Sequence, residues 1–275
     1  MQNPLRYTKK LFRSNIHIPR YIYVLAAILI IAFDLRIQSV THSVVDTPVR
    51  ADARDYVLYA HNMKNYGVYS RSDTWAADAQ IPPKPDAMRA PLYPLFIELF
   101  LDQQPTAANI VTITRTQAAI STLTILLVFW IARQILPLSL ALAASAFTAI
   151  SPHLVTMNIY LLSETLFCFF LVLAIYALSK TIKKKNLVAS ILAGLALGAA
   201  ALTHPMLLYF VIPLALFILY YCGWKNGWRK TVVLVLSFSL LYGAWIARNL
   251  NTLGVPGGNT LMLVTLRIGT YSNMM

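Results

Sequence analysis

The sequence predicts an all-α, polytopic membrane protein with about seven transmembrane helices and one long polar loop after the first of them. Of its 275 residues, 58% are hydrophobic and only 12% are charged, about half the charged fraction of a typical soluble domain. Apolar runs of seventeen or more residues recur, which is the length that an α-helix needs to cross a bilayer. A soluble fold would require several helices with no polar face and is therefore disfavoured.

The predicted spans follow the apolar runs in order. They cover residues 19–37, 112–134, 137–154, 158–178, 187–203, 206–222 and 231–247. The first run continues into Asp34-Leu35-Arg36 without a small-residue cleavage site, so we predict an uncleaved span rather than a signal peptide. Residues 19–275 are expected to form a single transmembrane domain after a basic segment at 1–18.

Basic clusters flank these runs and predict the orientation of the chain in the cell membrane. They comprise Arg6, Lys9, Lys10, Arg13 and Arg20; Lys180, Lys183, Lys184 and Lys185; and Lys225, Arg229 and Lys230. Because cations in short loops remain cytoplasmic, we expect the N-terminus inside and the loop at 38–109 outside. The net charge of +13 then faces anionic lipid, so no nucleic-acid partner is predicted.

The loop at 38–109 contains eight of the ten acids of the chain: Asp46, Asp52, Asp55, Asp73, Asp78, Asp86, Glu98 and Asp102. Residues 51–65 suit a helix, since Asp52, Tyr56 and Tyr59 recur at spacings of three and four, and Gly67 is placed to end it. A proline-rich stretch follows. The apolar residues 92–101 are too few to span, so they predict an amphipathic helix at the membrane interface.

Asp52 and Asp55 are the first candidates for chemistry. At positions i and i+3 of a helix they project to nearly the same side, and two close carboxylates suit proton transfer or cation binding. The alternative is that Asp52 only favours the dipole at the helix N-terminus.

Four other positions are candidates on the outer side. Arg89, Arg54 and Arg248 could each bind a lipid phosphate or simply extend to the membrane surface. Glu164, near the outer end of the fourth span, is a functional candidate or a structural hydrogen-bonding group. The outer histidines, His61, His153 and His204, lack the spacing of a metal site and are interpreted as structural.

Several stretches resemble the membrane glycosyltransferases of the C-type fold, and among these the protein O-mannosyltransferases and the aminoarabinose transferases of lipid A. The stretches are Ala51-Asp52-Ala53-Arg54-Asp55-Tyr56, Arg89-Ala90-Pro91-Leu92-Tyr93-Pro94, Leu162-Ser163-Glu164-Thr165-Leu166, Thr203-His204-Pro205 and Trp245-Ile246-Ala247-Arg248-Asn249. Relatives usually continue beyond the seventh span, so this resemblance implies a chain truncated at its C-terminus.

The resemblance implies transfer of a sugar from a polyprenyl-phosphate donor to an extracytoplasmic glycan, lipid or protein. Asp52 is then the base of an inverting displacement, with Asp55 as a second acid. Arg89, Arg248 and Arg54 are implied near the donor phosphate, and Tyr56, Tyr93 and Glu164 as supporting residues. No cofactor is certain; a divalent metal is possible, although Met88 stands where some relatives have an acidic ligand, and Asp86 is the nearest substitute.

Two alternatives to a glycosyltransferase remain open. One is an inactive remnant or assembly partner with the same fold. The other is a transporter, which would require polar residues or broken helices at mid-membrane; the spans after the second carry almost no charge there.

Overall fold

The computed structural model describes residues 19–183 and 186–256. Within these ranges the chain forms helices and no strand. The helices are α1 (Arg20–His42), α2 (Asp52–Tyr66), α3 (Leu92–Glu98), α4 (Ala107–Ala132), α5 (Leu138–Ile150), α6 (Pro152–Thr156), α7 (Glu164–Lys183), α8 (Leu187–Thr203), α9 (Val211–Cys222) and α10 (Trp224–Leu253), with 3-10 turns at Met157–Ile159 and Pro205–Phe210.

The prediction of a helical, polytopic membrane protein is confirmed. In the part of the chain that the structure describes, five helical segments are long and apolar enough to cross a membrane: α1, α4, α7, α10 and Pro205–Cys222. The bent pair formed by Leu138–Ile150 and Pro152–Ile159 would make a sixth span, and α8 is a shorter apolar helix. Each of the seven predicted segments is thus largely helical, while the count of seven spans stays a prediction.

Several predicted boundaries were wrong by about one turn. The first span extends to His42, and α4 begins at Ala107, five residues before the predicted start. The reason at α4 is a capping box, in which Thr106 Oγ1 accepts from the Asn109 amide and Asn109 Oδ1 accepts from the Thr106 amide. This arrangement satisfies two amides at a helix start.

The fourth and seventh predicted spans also needed correction. The fourth begins only at Glu164, because residues 158–163 form a buried, largely irregular approach to α7. The seventh belongs to the 30-residue helix α10. Lys225, Arg229 and Lys230 are therefore helical, although they were predicted in a loop. The basic residues 6–13, Lys184 and Lys185 lie outside the described residues.

Helix α8 lies at the centre of the bundle between α7 and α10. Most of its residues are buried, and most of these are small: Ala189, Ser190, Ala193, Gly194, Ala196, Gly198, Ala199, Ala200 and Ala201. Small residues allow helix backbones to approach closely. At Gly194 the approach is so close that an added Cβ would lie 2.2 Å from the backbone oxygen of Leu234 on α10.

Arg36 of α1 is fully buried and stabilises the break between α5 and α6. Its Nη1 donates to the carbonyls of Ala32 at 3.0 Å and Ala149 at 2.9 Å, and its Nε donates to Ser121 Oγ at 2.8 Å. The last carbonyls of α5 have no helical donors, because the chain turns by 53° at Pro152. An arginine inside the bundle therefore supplies donors that the broken helix lacks.

The loop between α1 and α4 is folded onto the bundle. Helix α2 ends at Gly67, which adopts the left-handed conformation (φ 66) as predicted and donates its amide back to the α2 carbonyls. The side of α3 that carries Tyr93 and Ile97 is buried against α2 and α4, together with Ile113. Leu95 and Leu99 remain exposed and are available for contact with lipid. Part of the apolar surface predicted for the membrane interface is thus covered by protein.

Candidate active site

Arg89 joins the two acids at the start of α2. Its Nη2 donates to Asp52 Oδ1 at 2.5 Å and to Asp55 Oδ2 at 2.9 Å, and its Nε donates to the same Asp55 oxygen at 3.0 Å. The guanidinium lies over the ring of Tyr56, 5.4 Å from its centroid. Asp52, Asp55 and Arg89 are the charged triad. Asp52 and Asp55 were predicted to share one side of a helix, Arg89 was a separate candidate, and the structure brings the three together.

The two acids of the triad differ in how fully they are engaged. Asp55 is only 21% exposed; its Oδ2 accepts both hydrogen bonds from Arg89, and its Oδ1 is 3.9 Å from Arg71 Nη1. Asp52 is 55% exposed, and among the described residues only its Oδ1 has a hydrogen-bond partner. Asp52 Oδ2 therefore has no hydrogen-bond partner among the described residues, whereas Asp55 mainly holds Arg89. Both acids also lie in the first turn of α2, where the dipole favours them.

The triad also fixes the charge of Arg89 in a half-buried position. Burial by itself lowers the pKa of Arg89, but its hydrogen bonds to Asp52 and Asp55 outweigh that effect and leave the pKa raised.

Ala51, the residue directly before Asp52, has φ 48, a conformation that L-residues other than glycine seldom adopt. Such strain persists where the surrounding structure enforces it, commonly at functional sites.

Tyr56 and Tyr93 form the floor beneath Arg89. Their rings meet edge to face with centroids 4.9 Å apart. The Tyr56 hydroxyl lies 3.3 Å from Ser163 Oγ, and the Tyr93 hydroxyl donates to Gln117 Oε1 at 2.5 Å. Burial raises the pKa of both tyrosines, so they remain neutral. Their supporting role in catalysis stays a prediction, and the Ser163 contact joins the stretch before α7 to the Tyr56 ring beneath Arg89.

A cavity of about 410 Å³ opens on the Asp52 side of the triad. Asp52 and Glu164 are its two acids, and its other lining includes Pro48, Tyr160 and Leu161. Glu164 is exposed at the first turn of α7, which favours a carboxylate. The structure thus places Glu164 and Asp52 in one cavity, although 112 positions separate them in the sequence.

A larger, polar cavity of about 790 Å³ opens on the Asp55 side. Three cations line it, namely Arg54, Arg71 and Lys84, together with Asp55, Asp73 and Asp86. Arg54 is paired with Asp73 at 2.5 Å, so its charge is already partly matched. Arg71 and Lys84 were missed by the sequence analysis, because surface cations in an irregular loop carry no local signal of a site.

Asp86 and Arg248 stabilise the wall of this polar cavity. The Asp86 carboxylate accepts hydrogen bonds from the Tyr59 hydroxyl and from the amides of Arg71 and Met88. Arg248 donates to the backbone carbonyl of Asp86 at 2.9 Å. Burial, followed by the nearby Asp86 charge, raises the pKa of Tyr59, which stays a neutral donor.

Arg248 also stacks between aromatic rings, 5.3 Å from the Tyr69 centroid and 5.2 Å from that of Trp245, and donates to the Tyr69 carbonyl. Its donors to the loop are thus directed at backbone oxygens. In this structure Arg248 fastens α10 to the loop, and its predicted role at a donor phosphate stays a prediction.

No group of three His, Cys, Asp or Glu side chains suited to a metal ion occurs within residues 19–183 and 186–256. Asp86 would have to exchange its present hydrogen bonds for metal coordination, so its metal role stays a prediction. His61 is buried beside Trp75, and His204 lies against Phe167 with centroids 5.3 Å apart; both positions fit the structural interpretation.

The fold and the site together define a multi-pass membrane protein with carboxylates and arginines gathered at one end of its helices. The chain belongs to the dolichyl-phosphate-mannose-protein mannosyltransferase family, whose sequence pattern matches residues 88–251. The match contains Arg89, Tyr93, Glu164 and Arg248, while Asp52 and the other α2 candidates precede it. The predicted family membership is confirmed.

The fold is also similar to the S. cerevisiae protein O-mannosyltransferase Pmt1–Pmt2 complex bound to the sugar donor. The TM-score is 0.60 with 16% sequence identity, over 93% of this chain and 34% of that chain. The present chain therefore spans about a third of the length of this relative, and at this identity the likeness concerns the fold alone. No curated protein sequence matches the chain.

Proposed function

We propose that this protein transfers a mannosyl group from a polyprenyl-phosphate carrier to an acceptor hydroxyl at the outer face of the membrane. The observation that carries the proposal is the charged triad between two cavities, with the exposed carboxylate of Asp52 facing one cavity and the more buried Asp55 lining the other. Membership of the mannosyltransferase family supports the choice of sugar and of carrier. Basic residues lie at the helix ends opposite to the triad. Cations beside membrane spans tend to remain cytoplasmic, and this supports an N-terminus in the cytoplasm.

Asp52 is the proposed general base. The acceptor hydroxyl transfers its proton to Oδ2 of Asp52, and the hydroxyl oxygen attacks C1 of the sugar. The bond from C1 to the phosphate oxygen breaks, and the polyprenyl phosphate leaves with one additional negative charge. A single displacement of this kind inverts the configuration at C1. Arg89 fixes Asp52 through Oδ1, so that the other oxygen is directed toward the acceptor.

The cations of the polar cavity are the proposed binding site for the donor phosphate. Arg71 and Lys84 provide positive charge there. Arg54 also lines the cavity, but its charge is partly matched by Asp73, whose Oδ2 lies 2.5 Å from Arg54 Nη2. Charge grows on the phosphate in the transition state, and cations beside the phosphate stabilise it. Asp52 and Asp55 contact the same nitrogen of Arg89, so the two cavities open on either side of this one residue.

The test compares Asp52→Asn with Asp78→Asn in membranes from cells that lack the wild-type chain. Asp78 is an exposed acid of the same loop and is the matched control. The probe is polyprenyl-phosphate mannose labelled in the sugar, and transfer of the label from this donor lipid to an acceptor is measured. Loss of a general base lowers turnover by about 10²- to 10⁴-fold, so Asp52→Asn should be nearly inactive and Asp78→Asn normal.

Two results would argue against parts of this proposal. Normal transfer by Asp52→Asn would remove Asp52 from the base role. Donor binding without transfer by the wild-type protein would instead favour the non-catalytic assembly partner. Dependence of transfer on a divalent metal stays a prediction.

A further inference from the structure

A second charged cavity lies at the opposite end of the bundle from the triad. Lys230 lies on the inward side of α10 with Gly227, Thr231 and Leu234, and only 6% of it is exposed. With a rise of 1.5 Å per residue, Lys230 and Arg248 are separated by about 27 Å along α10. This distance is close to the thickness of the hydrocarbon core of a bilayer, so the two sites lie at opposite membrane surfaces.

The Lys230 ammonium has no anionic partner within the described residues. The hydrogen bond found for it there goes to Cys222 Sγ, at 3.6 Å, and a thiol is a weak acceptor. The ion pairs of the described chain all lie in the loop between α1 and α4. Burying an ammonium without an anionic partner is costly, so an anion bound beside Lys230 would be stabilising.

The packing of α10 on α9 holds Lys230 in this position. Gly227 contacts α9 so closely that an added Cβ would lie 3.0 Å from the Ile218 oxygen and 3.2 Å from Leu219 Cα. Lys230 follows one turn later on the same side and is therefore directed at the end of α9. A longer residue at position 227 would move the helices apart and release the ammonium to solvent.

Lys230 lines a cavity of about 410 Å³ together with Leu187, Lys225, Asn226, Trp228 and Arg229. Three of these six residues are cations and none is an acid. The cavity lies at the first turns of α10, where unpaired backbone amides and the helix dipole favour an anion. A phosphate group matches this combination of charge and donors.

An apolar cavity of about 510 Å³ adjoins the charged one. It shares Lys225 and Trp228 with it, and its further lining includes Leu219, Trp224 and Val232. Trp224 is 74% exposed, and the Arg229 guanidinium lies 5.4 Å from the Trp228 ring centroid. Exposed tryptophans beside cations are typical of the level of lipid headgroups. A charged and an apolar cavity side by side fit a molecule with a phosphate and a hydrocarbon tail.

We propose that this end of the bundle binds an anionic phospholipid, with its phosphate at Lys230, Lys225 and Arg229 and its acyl chain in the groove beside Trp224. The site is distinct from the triad and does not rest on the proposed transfer reaction. Occupation by the lipid would neutralise Lys230 and fasten α9 to α10.

The test is native mass spectrometry of the full chain in detergent, titrated with phosphatidylglycerol and, separately, with phosphatidylcholine. The wild-type protein should retain phosphatidylglycerol preferentially. Lys230→Met should weaken this retention at least about fivefold, the effect of one cation near a lipid surface. Lys180→Met is the matched control, because Lys180 lies at the same end of the bundle over Tyr176 and does not line the cavity.

Two further arms keep the test decisive. Lys230→Arg keeps the positive charge and should keep the preference for phosphatidylglycerol. The double variant Lys225→Gln/Arg229→Gln should lose this preference, and because both residues are exposed, their replacement should leave the fold intact. Equal retention of both lipids by the wild-type protein, or equal losses in Lys230→Met and Lys180→Met, would overturn the proposal. If inorganic phosphate at equal concentration displaces the lipid, the site binds a free anion rather than a phospholipid, and the proposal is overturned.

Discussion

Replacing Gly194 by alanine should loosen the pairing of α8 with α10. A Cβ at this position would lie 2.2 Å from the Leu234 oxygen, 3.1 Å from the Leu234 carbonyl carbon and 2.8 Å from Ser237 Cβ. Two of these three atoms belong to the backbone of α10, so rotation of a side chain cannot relieve the contact. The helices must separate instead.

The size of the effect follows from the overlap. Ordinary contact begins at 3.4 Å, so the backbones must move apart by roughly 1 Å at this point. Overpacking of a close-packed interior costs about 1–3 kcal/mol, and the better helix propensity of alanine recovers up to about 1 kcal/mol. Because the overlap is severe, we expect a net destabilisation of about 1–2 kcal/mol.

The assay is the thermal unfolding midpoint of the purified chain in detergent, with two glycine controls. An alanine at Gly198 would contact the Phe238 oxygen at 3.2 Å, and one at Gly243 would meet no atom within 4 Å. The expected order of stability is Gly243→Ala at or above wild type, then Gly198→Ala, then Gly194→Ala. A Gly194→Ala midpoint equal to that of Gly243→Ala would refute the close approach of α8 to α10.

Arg36→Met should lower the unfolding midpoint, because the Ala149 carbonyl and the Ser121 hydroxyl lose their buried donor, at about 1–3 kcal/mol for each unsatisfied group; an unchanged midpoint would contradict this. Stability should also fall on acidification. Burial lowers the pKa of the His61 imidazole from its usual 6.5. On acidification the unfolded chain therefore binds a proton at this histidine before the folded chain does, and the stability that neutral His61 contributes is lost as the pH falls below about 6.5. His61→Gln should show a smaller fall in midpoint between about pH 8 and about pH 5.

Local signals were sufficient for the helical segments. The apolar runs predicted α4, α8 and α10 because a bilayer demands a fixed length of apolar helix. The stop of α2 at Gly67 was also predictable, since a left-handed cap favours glycine over residues with a Cβ. The early start of α4 had a readable signal too, in the capping pair Thr106 and Asn109, but hydropathy alone places a boundary only at the edge of the apolar run.

Hydropathy was misleading where polar residues continue a helix or apolar residues do not. The first turns of α10 hold Lys225, Arg229 and Lys230 and were therefore predicted to be a loop. Residues 158–163 are apolar enough to extend a span, yet they leave the helix to bring Ser163 to Tyr56. In both places contacts with distant elements outweighed local composition.

The candidate site was predicted as a set of residues but not as an arrangement. The i, i+3 spacing indicated that Asp52 and Asp55 share a side of α2. That Arg89 binds both of them, and that Asp55 is more fully engaged than Asp52, depends on how the segment before α3 returns to α2. The resemblance already implied Asp52 as the base, and that difference in engagement supports the proposal.

The sequence by itself determined the membrane class, most of the helical segments and the family, and it indicated the candidate acids, because each depends on composition or on residues close together in the chain. The tertiary structure alone decided which charges meet. Arg89 pairs with acids 34 and 37 positions away, Arg36 bonds to a carbonyl 113 positions away, and Lys230 is buried without an anionic partner among the described residues. Such pairings arise from the packing of helices against one another. Helices of similar apolar character select their neighbours by shape, at close contacts such as those of Gly194 and Gly227, and a local sequence pattern does not show which helix a glycine will contact.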